Sequence, residues 1–218
     1  MTEVKIAAQQ PHFFPDFKFF YKIFCSDIFF IADFLRFRKQ SLMVRANFSD
    51  FYLTVPVKHH KTDPHPPLSN VKMVDDKFWR QNHLRTLKSR FSPLPFFEYY
   101  YPDLENIYTR QDVSLNTFLW DIFSWQLNIF FPSKLVYRCS DEGIHNLKDL
   151  KEWVQKYEKF LWLIYPQEQS YYGEHFAETP CKIISSDWNS LFPIPYAPDM
   201  PLLVLLFLRG PETVSYFQ

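Results

Sequence analysis

The stretch "VKIAAQQPHFFPDFKFFYKIFCSDIFFIADF" (residues 4–34) decides the fold. "VKIAAQQ" is a short apolar run, "FKFFYKIFCSD" reads as a helix, and "IFFIADF" is a second buried strand closing on Asp33. Strand, turn, helix and strand in that order make a βαβ opening. The turn itself, "QQPHFFP", avoids the Gly, Asn, Asp and Ser that an ordinary chain reversal would use. Pro11 and Pro15 instead fix φ and remove two backbone donors, so the segment is expected to be stiff and to hold Gln10 and His12 in defined directions.

Working outward, "YLTVPVK" and "LSNVKMV" read as further strands joined by the Pro- and His-rich loop "HHKTDPHPP". "DDKFWRQNHLRTLKSRF" has an acidic start and a basic end, as a helix dipole prefers, and "SLNTFLWDIFSWQLNIF" is a helix with Ser114 as its N-cap. "KLVYRCSD" and "LWLIYP" are later strands, with the amphipathic helix "NLKDLKEWVQKYEKF" between them. "MPLLVLLFLRG" is a buried closing helix that Gly210 and Pro211 terminate. The alternation predicts an α/β, three-layer, Rossmann-like fold with a mainly parallel sheet and a helical second half. With 218 residues and no linker-like stretch, residues 1–218 are expected to form one domain.

Composition removes several functions. Only three glycines occur, Gly143, Gly173 and Gly210, so neither a Walker loop nor a G-x-G-x-x-G turn can be written. Any nucleotide would be held by side chains or a bare helix N-terminus. Lys plus Arg and Asp plus Glu are equal at 24 each, which makes nucleic acid an unexpected main partner. No signal-like or membrane-length apolar segment is visible, and a cytoplasmic location is expected. Cys25, Cys139 and Cys181 are unpaired by spacing and fit reduced thiols rather than structural zinc. Aromatic residues make up 20% of the chain, enough for a large core with rings left over for a groove.

In a parallel sheet, ligands sit beyond the carboxyl ends of the strands. Three such ends are expected to present Gln10 and His12; then Asp33, Arg36, Arg38, Lys39, Ser41 and Arg45; then Lys58 and His59. That is a cationic mouth holding one carboxylate, suited to a phosphorylated or carboxylated small molecule.

The same residues carry a family resemblance. "QQPHFFPDFKFFYKI" resembles the Q-P-N-Y-x-P-W-x-x-Y-F-x-K-I opening of the WbqC-like family. "IADFLRFRKQSLMVRANF" is similar to its second block, with Asp33, Phe37, Lys39, Ser41 and Arg45 at the D, F, K, S and R positions. "YLTVPVK", "FWRQNHLRTLKSRF" and "LLVLLFLRGPE" follow in order. Members are associated with surface-polysaccharide gene clusters, O-antigen among them, and are described as glycine transferases acting on amino sugars. The resemblance adds Phe13, Lys22 and His83 to the substrate-binding candidates. This chain departs from the pattern at His12, where Asn is usual, at Phe34 in place of a second acid, and at Arg36, Leu42 and Val44.

The candidates have plain alternatives. His12 is a general base or a histidine bonded to a backbone carbonyl; Asp33 is a base or the partner of Arg45 in a salt bridge. "HHKTD" (His59 to Asp63) reads as a solvated loop, and His59, His60 and His65 lack a spacing that orients them on a metal. His83 shares a helix face with Trp79. "FFEYYY" (Phe96 to Tyr101) is core and rim, or a stacking platform. The expected function is aminoacyl, glycyl or other acyl transfer to the amine of a nucleotide-linked amino sugar. His12 or Asp33 would take the proton, and Lys39, Arg45 and Lys58 would hold phosphates. No cofactor is required beyond an activated aminoacyl or acyl donor, and no metal is expected. A non-catalytic binding or accessory protein of the same pathway is the alternative, and a nucleotidyl-transferring enzyme the third reading.

Overall fold

The structure is a computed structural model and describes residues 3–58, 63–168, 180–184 and 197–218. A five-stranded parallel sheet runs in the order β5-β2-β1-β6-β7. Its strands are β1 (Val4–Gln9), β2 (Ile28–Ile31), β5 (Leu135–Arg138), β6 (Phe160–Ile164) and β7 (Cys181–Ile183). The βαβ opening is as expected: β1 pairs with β2 in parallel, Ile6 opposite Ile28 and Gln9 opposite Ile31, with helix α1 (Phe17–Cys25) between them. Asp16 starts α1 by accepting from the Phe19 amide at 2.8 Å, which satisfies one of the free donors of the first turn.

Strand alternation sorts side chains onto two faces. Ala7, Phe29, Ile31 and Leu163 face one core, shared with α1, α2 (Lys77–Phe91), α3 (Phe97–Thr109), α4 (Leu115–Phe130) and α6 (Leu202–Arg209). Ile6, Ala8, Ile28, Phe30, Trp162 and Ile164 face the other, covered by α5 (Leu147–Val154). Helices therefore lie on both sides of the sheet, and the large aromatic content fills the thicker layer: Phe17, Phe20, Phe29, Phe97 and Phe207 are wholly buried. Each such side chain contributes on the order of 2 kcal/mol of burial.

Several elements differ from the sequence reading. "YLTVPVK" yields only β4 (Tyr52–Thr54), which pairs antiparallel with the short β3 (Arg45–Asn47) in a separate two-stranded sheet. "LSNVKMV" is a 3-10 turn at Leu68–Asn70 followed by two isolated bridges, Lys72 to Ser114 and Met73 to Val57. Lys58 is therefore not at the end of a strand of the parallel sheet. Helix α3 occupies the aromatic run despite Pro102, because Phe97, Tyr100, Tyr101, Leu104, Ile107 and Tyr108 recur at helical spacing and are all buried. Ser114 caps α4 as expected, accepting from the Thr117 amide.

Candidate functional site

From β1 the chain passes to β2 on one side; from β5, at that same edge, it crosses to β6 on the other side of β1. The carboxyl ends of β1 and β6 thus form a switch point, where doubly wound sheets leave a crevice. A cavity of about 650 Å³ opens there. Gln9 and Gln10 line it from β1, Leu35 to Met43 supply most of the wall after β2, and Glu168 closes it after β6.

The floor is built on a buried lysine. Lys22, from α1, is fully buried, and its Nζ donates to Ala8 O at 3.0 Å, Gln9 Oε1 at 3.0 Å and Glu168 Oε2 at 2.6 Å. Burial pushes its amine down, and the Glu168 carboxylate opposes that shift. Glu168 Oε2 also accepts from the Tyr165 amide at 2.8 Å, and the Tyr165 ring lies 5.3 Å from Nζ. On the wall, Arg38 is exposed and Arg36 pairs with Asp63 at 2.7 Å. Gln40 holds φ 61, and Ser41 Oγ donates to Arg38 O at 2.7 Å.

The proline turn braces this wall. The Phe13 amide donates to Leu42 O at 2.7 Å, and Leu202 N donates to Pro15 O at 3.0 Å, which ties the turn to the start of α6. Phe14 adopts φ 53, a left-handed conformation held in place by burial against Phe13 and Phe48. Of the turn, Gln9 and Gln10 line the cavity; Phe13 lies in the core beside His83 and Phe118.

The remaining candidates lie elsewhere. His12 lines a narrow slot with Pro11, Phe19, Asn116 and Trp120. Burial, with the Lys22 charge adding to it, pushes its imidazole down to about 3, and among the described residues its Nε2 has no hydrogen-bond partner. Asp33 is 2% exposed and saturated: Oδ1 accepts from Ser140 N at 3.0 Å, and Oδ2 from Ser140 Oγ at 2.6 Å and Asn116 Nδ2 at 2.9 Å. Its cationic neighbour is Arg138 at 4.0 Å rather than Arg45. Arg45 stacks on Tyr52, 3.8 Å from the ring centroid. Lys39 and Lys58 meet at a smaller cavity of about 170 Å³ with Asp63 and His65. His83 is buried, its Nδ1 3.2 Å from the Tyr108 hydroxyl, with its imidazole pushed down to about 4 by burial. His59 and His60 lie outside the described residues. Of the expected site, the main cavity gathers Gln10, Arg36, Arg38 and Ser41, with Lys22 beneath it.

Gln9, Gln40 and Glu168 were not anticipated. The signal for Glu168 is the rule that placed Gln10: it follows "LWLIYP", a strand of the parallel sheet, at its carboxyl end. Among the described residues no group of His, Cys, Asp and Glu is placed to hold a metal ion, and no helix is long and apolar enough to cross a membrane.

The model of the WbqC-like protein family matches residues 10–216, nearly the whole chain. The chain belongs to the WbqC-like family. No curated protein and no solved structure matches it. The match takes in the proline turn, the Leu35 to Met43 wall and Glu168, so every part of the main cavity except Gln9 falls within the family's extent.

Proposed function

We propose that the chain is a cytoplasmic small-molecule transferase of surface-polysaccharide biosynthesis that moves an aminoacyl, glycyl or other acyl group onto the amine of a nucleotide-linked amino sugar. The observation that carries the reading is the cavity at the β1/β6 switch point. Its volume suits a sugar nucleotide, its rim offers Arg36 and Arg38 to phosphates, and its walls offer the amides of Gln9, Gln10 and Gln40 to hydroxyls. In the reaction the amine lone pair attacks the carbonyl carbon of an activated acyl donor. The C–N bond forms, the bond from carbon to the leaving group breaks, the leaving group departs with its electron pair, and the amine proton passes to a base. No resident cofactor is invoked. Asp33 and His12 shape the site in this reading: Asp33 fastens β2 to the segment after β5 and to α4, and neutral His12 packs the proline turn against Phe19.

The test is incubation with uridine diphosphate glucosamine and a glycyl thioester or glycyl adenylate, followed by mass spectrometry of the sugar nucleotide. Acylated product supports the reading. Tight binding with no product from either donor would mark an accessory binding protein instead, and no binding would remove the assignment of the cavity.

A further inference from the structure

We infer that Glu168 is the residue that receives the substrate's amino group and takes its proton, and that Lys22 is a positioning residue that aims Glu168 and Gln9 at it. The inference rests on the proposed transfer to an amine.

An ammonium has donors only, so each group bonded to Lys22 Nζ must turn an oxygen toward it. Gln9 gives its Oε1, at 3.0 Å, which fixes the amide and leaves the Nε2 hydrogens for the cavity that Gln9 lines. Glu168 gives its Oε2, at 2.6 Å, and the Tyr165 amide occupies the same oxygen at 2.8 Å. Among the described residues Oε1 has no partner, and Glu168 lines the cavity. Among the described residues the floor therefore offers one unpaired carboxylate oxygen and one unpaired amide donor, on two side chains that share Lys22 Nζ. A primary amine, ammonium or neutral, fits the carboxylate oxygen as donor. A hydroxyl would satisfy it with a weaker, uncharged bond, and an N-acetyl group would bring bulk and a single N–H. Among the described residues no other carboxylate lines this cavity.

During transfer the proton released from nitrogen as the C–N bond forms passes to Glu168 Oε1, while Lys22 Nζ holds Oε2 and so keeps Oε1 turned to the cavity. Lys22 itself is sealed from solvent, and it acts on the substrate through these two side chains.

The test is calorimetric titration with three probes: uridine diphosphate glucosamine, uridine diphosphate glucose and uridine diphosphate N-acetylglucosamine. The wild-type protein should bind the amino sugar at least tenfold more tightly than either of the others. Glu168→Gln should bring that ratio close to one while leaving the affinity for the glucose compound within about threefold. Should Glu168→Gln fail to fold because it strands the Lys22 ammonium, Lys22→Met combined with Glu168→Gln removes both charges and serves in its place. Lys22→Met alone should lower the ratio without abolishing binding of the glucose compound, which a purely structural lysine would not do. A wild-type ratio near one, or a ratio that survives Glu168→Gln, overturns the inference and leaves the transferase cavity standing. Failure of all three probes to bind overturns both.

Discussion

Lys22 Nζ, wholly shielded from solvent, lies 2.6 Å from Glu168 Oε2 and so joins α1 to the segment leaving β6. Two charges in such a place attract strongly but have each given up water, and removing one strands the other. Lys22→Met should therefore cost about 3–5 kcal/mol. Lys22→Met with Glu168→Gln should recover more than half of that loss. Urea denaturation of the single and double variants checks this, and a double variant no more stable than the single would show that the Nζ bonds to Ala8 O and Gln9 Oε1, rather than the stranded Glu168 charge, account for the loss.

Acid should destabilise the protein with a slope that can be divided among named groups. The imidazoles of His12 and His83 are pushed from 6.5 down to about 3 and about 4 by burial. Below about pH 6.5 the unfolded chain takes up protons that the folded one refuses, so this stability is present at neutral pH and is lost as pH falls. Each histidine gives a slope of about 1.4 kcal/mol per pH unit. Asp16 acts the other way: burial raises its carboxyl from 3.8 to about 6, so between those values the folded state holds a proton that the unfolded state lacks. From pH 6 to 4.5 the net loss is about one histidine's worth. His12→Asn should remove it and leave the melting curve nearly flat over that range; an unchanged slope would mean that His12 is protonated in the folded protein.

Asp33 gives a sharper test of anchor against base. Its carboxylate satisfies the Ser140 amide, the Ser140 hydroxyl and the Asn116 amide, and Asp33→Ala would leave these donors unpaired in a buried place. The expected cost is about 3 kcal/mol or more. Turnover per folded molecule at low temperature should be retained within about tenfold, a range equivalent to about 1.4 kcal/mol. Loss of all turnover in a well-folded Asp33→Ala protein would restore Asp33 as the proton acceptor.

Two glycines should differ in what they tolerate. Gly143 has φ +69 with open space around it, whereas a Cβ on Gly210, at φ +56, would sit 2.5 Å from the Phe96 ring. Gly143→Ala should cost about 1 kcal/mol for the left-handed backbone alone. Gly210→Ala adds overpacking and should cost at least twice as much. Thermal melts of the pair decide it, and equal losses would show that Phe96 swings clear.

Four strands of the parallel sheet were legible because they are short apolar runs bounded by turns, as Ile6, Ala7 and Ala8, all buried, illustrate; β7, three exposed residues, was not. The β3/β4 hairpin was not, because "YLTVPVK" has the same local pattern whether it enters the large sheet or pairs with Arg45–Asn47. Helix α3 was obscured by Pro102, a residue that argues against a helix interior unless tertiary burial outweighs the lost hydrogen bond. The candidate site was legible in its location and only partly in its members. Gln10 and Ser41 line the cavity, yet Asp33, two residues beyond β2, turns toward Ser140 and Asn116, a choice between faces that no local spacing records. Glu168 depends on a contact with Lys22 across 146 positions, which a single sequence cannot announce.

Two arginines near the site should separate binding from stability. Arg38 lines the main cavity, is exposed and has no ion pair among the described residues. Arg45 is half-buried, with its guanidinium 3.8 Å from the Tyr52 ring centroid. Its backbone pairs with Thr54 in the β3/β4 hairpin. A cation that waits for an anion contributes charge-assisted hydrogen bonds only when the ligand arrives, so Arg38→Ala should weaken uridine diphosphate sugar binding by about 1.5–3 kcal/mol and leave the melting temperature nearly unchanged. Arg45→Ala removes a stacked side chain that packs in the empty protein, so it should cost about 1 kcal/mol of stability and leave affinity within a few tenths. Titration calorimetry beside thermal melts for both variants gives the answer. If Arg45→Ala weakens binding while Arg38→Ala does not, the ligand lies over the hairpin rather than in the cavity between β1 and β6.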